Sequence, residues 1–129
     1  YSKSIDIKLF FPAIAIGMLS TAVLNLNNMR DIENDKISNK NTLVVKKGLK
    51  WAKNYHHFLI LFSFVCFFVF SLSVDKKILP SLIIFIFFLK HLEKVRKSEK
   101  HEDFDPELKK VALGTFALSI LIWISFLYS

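Results

Sequence analysis

The residues with the clearest capacity for chemistry are Asp31 and Asp35, in the polar run Asn28-Met29-Arg30-Asp31-Ile32-Glu33-Asn34-Asp35-Lys36. On a helix, a four-residue spacing puts both carboxylates on one face, one turn apart. Like charges so placed repel by roughly 0.2–0.5 kcal/mol on an exposed helix, and by more in a low dielectric. A cation between them relieves that repulsion. A hard divalent ion such as Mg²⁺ suits the pair, because it is bound through one or two carboxylates and shares the phosphates of a substrate. Asn25 and Asn28 fall near the same face and would add neutral polar contacts. The competing reading of the same residues is a solvated polar helix end whose acids pair with Arg30, Lys36 or Lys40.

The elements that must position this run are apolar. Of the 129 residues 53% are hydrophobic, with 14 Phe and only 3 Gly, and the apolar residues gather in four blocks, which excludes an ordinary soluble domain. The fold expected is an all-α membrane protein of about four transmembrane helices, over residues 9–29, 54–74, 75–92 and 107–128, with polar connectors over 30–53 and 93–106. The first block alone, Leu9 to Leu26, reaches about 27 Å, enough to cross a hydrocarbon core. Pro12 and Pro80 fit in first turns, where a missing N–H costs little. Gly17, Ser20 and Thr21 are small enough for close helix packing in lipid. The link Asp75-Lys76-Lys77 is so short that the spans beside it must be antiparallel neighbours. Tyr128 suits an interfacial aromatic belt.

Local signals punctuate the connectors. Ser38-Asn39 reads as a turn, with Asn39 in the left-handed region, and Gly48 as the end of a short helical turn. Thr42-Leu43-Val44-Val45 is too brief to span. Asp105-Pro106-Glu107 reads as a helix start with Asp105 as N-cap. His56 and His57 read as interfacial packing, since adjacent helical residues diverge and make a poor metal pair. Cys66 reads as a small apolar residue, and one cysteine permits no intrachain disulfide. The run Lys94 to Lys100 reads as a solvated face.

The net charge of +7 raises the question of nucleic acid, which the distribution of charge answers. The 18 Lys and Arg residues divide as 7 over residues 30–53, 7 over 90–110, 2 over 1–8 and 2 over 73–77. With four spans the two rich segments share one side, and the positive-inside rule places them, with Asp31 and Asp35, in the cytoplasm. The partners expected are a lipid bilayer and a phosphorylated substrate, with no nucleic acid. The chain opens on Tyr1 without a charged–apolar–small leader and reads as the C-terminal part of a longer protein.

The run Asn28-Met29-Arg30-Asp31-Ile32-Glu33-Asn34-Asp35, followed by Lys40-Asn41-Thr42-Leu43-Val44-Val45 and Gly48, resembles the second aspartate-rich region of the UbiA superfamily of membrane prenyltransferases. Within it, the Asn-x-Arg-Asp pattern points to the branch acting on 1,4-dihydroxy-2-naphthoate in menaquinone synthesis. The resemblance implies a nine-helix bundle around a central cavity, of which this chain supplies the last four helices. It implies that Asp31 and Asp35 bind Mg²⁺ bridging to the diphosphate of a polyprenyl donor. Asn28, Arg30, Lys36 and Lys40 are then the candidates for contacting that diphosphate. Arg30 points away from the aspartates on an ideal helix, so its part requires local unwinding. Where the family commonly has Gly before the motif lysine, this chain has Asn39. The family's first aspartate-rich motif is not in these residues, so this piece alone is expected to be inactive. The cellular site implied is the bacterial cytoplasmic membrane. The alternatives weighed are another aromatic quinone or haem precursor as acceptor, and a non-enzymatic membrane helix-bundle module such as part of a transporter. The last fits less well, because the charges here cluster at the ends of the spans rather than near their middles.

Overall fold

The computed structural model describes residues 10–73 and 82–127, with side chains to residue 124. These residues form helices α1 (Phe10–Arg30), α2 (Ile32–Ile37), α3 (Leu43–Lys47), α4 (Leu49–Ser73), α5 (Ile84–Lys97) and α6 (Phe104–Leu127), with a 3₁₀ turn at His101–Asp103 before α6. No strand occurs among the described residues, as expected for an all-α fold. The Asp75-Lys76-Lys77 link, the first-turn position of Pro80 and the belt position of Tyr128 lie outside the described residues.

Each long helix buries one stripe. On α1 it is Ala15, Leu19, Ala22, Leu26 and Met29. On α4 it runs through Ala52, His56, Leu59, Ser63, Phe67 and Phe70. On α5 it is Phe85, Phe88, His91, Leu92 and Val95. These are the three- and four-residue steps of an amphipathic helix. Here the opposite faces are apolar as well. Phe58, Val65, Leu72, Phe87, Phe116 and Trp123 are all exposed, which suits a surface solvated by lipid. The hydroxyls obey the same constraint. Thr21 donates to the Gly17 carbonyl at 2.8 Å, Ser63 to Ile60 at 2.7 Å and Thr115 to Val111 at 2.8 Å, so each is satisfied within its own helix. Among the described residues, α1 and α4 are each long and apolar enough to cross a bilayer.

α1 packs chiefly against α4 and α6, and α5 against α6 and α4. The small residues that allow these approaches are not the ones expected. Gly17 and Ser20 are exposed, and a Cβ on Gly17 would meet nothing within 4 Å. The close approach is at Gly114, where a Cβ would stand 2.7 Å from the Phe88 ring.

The helix ends carry further corrections. α4 begins at Leu49, ahead of the expected start near residue 54, because Gly48 at φ +86° caps α3 and releases the next helix at once. α5 runs on to Lys97, past the expected end at residue 92. α6 begins at Phe104, so Asp105 is inside the first turn and is not its N-cap. The preceding 3₁₀ turn, held where the Lys100 N–H donates to Asp103 Oδ2 at 3.2 Å, feeds straight into the helix. Asn39 does stand at φ +52°, Gly48 does close the short α3, and Thr42 caps α3 by accepting from the Val45 N–H at 3.2 Å.

Both basic connectors gather at one end of the bundle. Lys53 Nζ donates to the carbonyls of Arg96, at 3.3 Å, and Ser98. Arg30 meets Asp105, and His101 lies 3.9 Å from Glu33.

Candidate functional site

At this basic end α1 stops and α2 starts, with Asp31 between them at φ −93°, ψ 7°. The interruption is slight. Asp35 N–H still donates to the Asp31 carbonyl at 2.8 Å, so the two aspartates remain about one turn apart. It is enough to bring Arg30 round, which an unbroken helix would not. The guanidinium Nε donates to Asp31 Oδ1 at 2.9 Å and Nη2 to Oδ2 at 3.2 Å, a two-pronged grip on one carboxylate. Nη1 donates to Asp105 Oδ1 at 3.0 Å and Nη2 also to Asn27 Oδ1 at 2.8 Å. One arginine thus ties the end of α1 to the first turn of α6.

The electrostatics follow from this fork. The hydrogen bond from Arg30 holds the Asp31 carboxyl below the usual carboxylate range, with the charges of Arg30 and Lys40 adding to the effect. Asp105 is lowered by its hydrogen bonds to Arg30 and Lys109, and the guanidinium is raised in turn by Asp31 and Asp105. A carboxylate with a depressed pKa adds stability that is present above its unfolded value and lost as pH falls through the folded one. We therefore expect Arg30→Gln to destabilise the protein at neutral pH, and that difference to shrink toward zero as pH drops below about 3.9, the ordinary aspartate value. Denaturant unfolding of both proteins in detergent at neutral and strongly acidic pH checks this.

Asp35 is set differently. It is 4% exposed, and among the described residues Lys40 is the cation at ion-pair distance, with Nζ 3.3 Å from Oδ1. The turn through Asn39 delivers that lysine, because the Lys40 N–H donates to the Asp35 carbonyl at 2.8 Å. The charge of Lys40 also favours the ionised form of Asp31, though its ion pair is with Asp35. Lys36 does not join them and pairs with Glu33 at 3.0 Å. Asn28 is half-buried on α1. Asn25, expected beside the aspartates, is instead buried against α4, where its Nδ2 donates to the Ala52 carbonyl at 2.9 Å. Asn27 was missed, although it directs Arg30.

Two carboxylates are the kind of oxygen donor that a hard divalent ion takes. Asp31 and Asp35 offer carboxylate oxygens, the buried Asp35 requires a positive partner, and a lysine already answers that requirement. Among the described residues no cluster of three or more His, Cys, Asp or Glu side chains could hold a metal. Both Asp31 oxygens are held by Arg30 and Asp35 is paired with Lys40, so a metal bound here would take over contacts that these cations now make.

A second polar cluster was not foreseen. His56 on α4 is fully buried, not an interfacial packing residue, and its Nε2 lies 2.7 Å from Nε2 of His91 on α5. His91 Nδ1 lies 2.7 Å from Oε2 of Glu107, which is fully buried on α6 and whose Oε1 accepts from Lys110 at 2.6 Å. Three helices are pinned by one chain of hydrogen bonds. With neutral rings the chain runs one way: His91 Nδ1–H donates to Glu107, and His91 Nε2 accepts from His56 Nε2–H.

Two acids one helical turn apart, one held by an arginine fork and the other by a lysine, thus stand at one end of an all-helical bundle. The profile of the UbiA prenyltransferase family matches residues 1–120, and the chain belongs to that family, whose fold is helical and membrane-embedded. It is 52% identical over 64 residues to the 1,4-dihydroxy-2-naphthoate octaprenyltransferase of Escherichia coli K12, covering 50% of this chain and 21% of that protein. It is 33% identical over 122 residues to the protein of the same name from Haemophilus influenzae, covering 93% of this chain and 40% of that one. A UbiA prenyltransferase domain-containing protein from Dictyostelium discoideum is 31% identical over 116 residues, covering 88% and 35%. The chain spans less than half the length of these relatives. No solved structure matches.

Proposed function

We propose that the complete protein transfers a polyprenyl group from polyprenyl diphosphate to 1,4-dihydroxy-2-naphthoate, in the presence of Mg²⁺, as a step of menaquinone synthesis in the bacterial cytoplasmic membrane. The observation that supports this reading is the placement of Asp31 and Asp35 one helical turn apart at the basic end of the bundle, with Lys40 paired to Asp35. The names of the two bacterial relatives support the donor and the acceptor. In this reading Asp31 and Asp35 hold the metal, which supplies charge to the diphosphate as it leaves. Lys40 is 67% exposed at the rim and meets diphosphate oxygens as a point charge. Arg30 is a positioning residue for Asp31, its fork being spent on two carboxylates and an amide. Asn28 lines the same end of α1, and Lys36 adds to the positive field from outside. The apolar helices shelter the developing allylic cation from water. The aromatic ring forms the new carbon–carbon bond as its carboxylate leaves as carbon dioxide.

The reading is tested by giving membranes containing the complete protein a polyprenyl diphosphate with either dihydroxynaphthoate or 4-hydroxybenzoate. We expect a prenylated, decarboxylated product from the naphthoate alone, formed with Mg²⁺ and lost on chelation. Prenylation of the benzoate instead would replace the proposed acceptor, and equal turnover after chelation would remove the metal.

A further inference from the structure

Next to the His91–Glu107 contact, α5 and α6 part around a groove of about 550 Å³. Its walls are apolar, with Phe87 71% and Leu113 68% exposed along it. Gly114 and Phe88 both line it, the glycine leaving room for the Phe88 ring to pack close against α6. One end of the groove is ringed by Lys90, Lys94 and Lys110. Lys110 and Lys94 lie 2.6 Å and 3.8 Å from the same carboxylate, Glu107, and no ion pair to Lys90 occurs among the described residues. Three ammonium groups therefore face one carboxylate, which His91 also uses, and the rim keeps an excess of positive charge.

A ligand that suits this shape has an apolar stem and an anionic head. A neutral lipid leaves the excess lysine charge unmatched. A small soluble anion leaves the apolar walls bare. We propose that the α5–α6 groove is a binding site for one anionic phospholipid, its acyl chain along Phe87 and Leu113 and its phosphate among Lys90, Lys94 and Lys110. Basic pockets between membrane helices recognise acidic head groups by this combination. The site is separate from the aspartate pair and does not depend on the transferase reading.

The test titrates the complete protein in detergent with short-chain phosphatidylglycerol, short-chain phosphatidylcholine or inorganic phosphate, and reads the thermal unfolding midpoint. Phosphatidylglycerol should raise the midpoint saturably, and the other two should not. Each rim lysine should be worth about fivefold in apparent affinity. Lys90→Gln with Lys94→Gln then weakens the lipid roughly 25-fold, leaving Lys110 and Glu107 paired. Lys90→Gln alone, which removes no ion pair seen here, keeps the test open should the double variant fail to fold. The control, Lys97→Gln with Lys100→Gln, should leave the affinity unchanged. Equal shifts from both lipids, a shift from phosphate alone, or a control pair as damaging as the rim pair would each overturn the proposal.

Discussion

Asp31→Asn and Asp35→Asn should each cut the proposed prenyl transfer by the complete protein about 100-fold or more, the scale on which removing one preorganised electrostatic group acts. The substitution keeps the size and one acceptor oxygen but removes the charge that attracts a divalent ion. The two sites should differ in a second respect. Asp31 is partly exposed and gripped by Arg30, so the neutral amide loosens the tie to α6 through Arg30. Asp35 is buried with Lys40, so its amide removes a buried charge and frees a lysine that is already largely in solvent. Asp35→Asn should therefore lose activity with little loss of fold, whereas Asp31→Asn loses activity and some of the acid-sensitive stability that Arg30 supplies. Turnover measured with unfolding midpoints on the same preparations separates the effects. Activity within a few-fold of the parent in both variants contradicts the assignment.

Glu107→Ala has the largest expected effect on stability. The carboxylate is fully buried and holds His91 on one side and Lys110 on the other. Removing it leaves a buried imidazole N–H without an acceptor and takes away the counter-charge of the lysine beside it. Leaving a buried donor unsatisfied costs about 1–3 kcal/mol. Glu107→Gln retains an acceptor for His91 and should lose less. Reversible unfolding in detergent checks both. The cycle that combines Glu107→Ala with His91→Ala should return a coupling of roughly 0.5–3 kcal/mol, as contacting residues in one network do. A loss below about 1 kcal/mol for Glu107→Ala, near the centre for ordinary point substitutions, shows that the chain from α4 to α6 holds little together.

Local chemistry made part of this molecule legible before any coordinates. Asn39 and Gly48 are identifiable because the left-handed backbone admits few residue types, and both stand at positive φ. The acidic pair is legible because its spacing survives the break at Asp31, the Asp35-to-Asp31 hydrogen bond keeping the helical step. What escaped was tertiary. Asp105 looks like a helix cap in sequence, but its partners are Arg30, 75 residues away in the chain, and Lys109 one turn on. Gly17 looks like a packing residue, but which face of α1 meets α4 is set by the leucines and alanines of the opposite stripe. The histidine–glutamate chain joins residues 35 and 16 positions apart, and no local pattern encodes that distance. A signal did exist. In α4, α5 and α6 an apolar stripe is interrupted on its buried side by a group that must find a partner, His56, His91 and Glu107 in turn.

The central claim is that Asp31 and Asp35 hold a divalent ion through which the chain grips a diphosphate. The measurement that meets it most directly is the affinity of the complete protein for a polyprenyl diphosphate, with and without Mg²⁺, in the parent and in the variant carrying Asp31→Asn and Asp35→Asn. The account expects Mg²⁺ to tighten binding to the parent by at least tenfold, about 1.4 kcal/mol, and to leave the variant unchanged. Equal strengthening by Mg²⁺ in both proteins contradicts it.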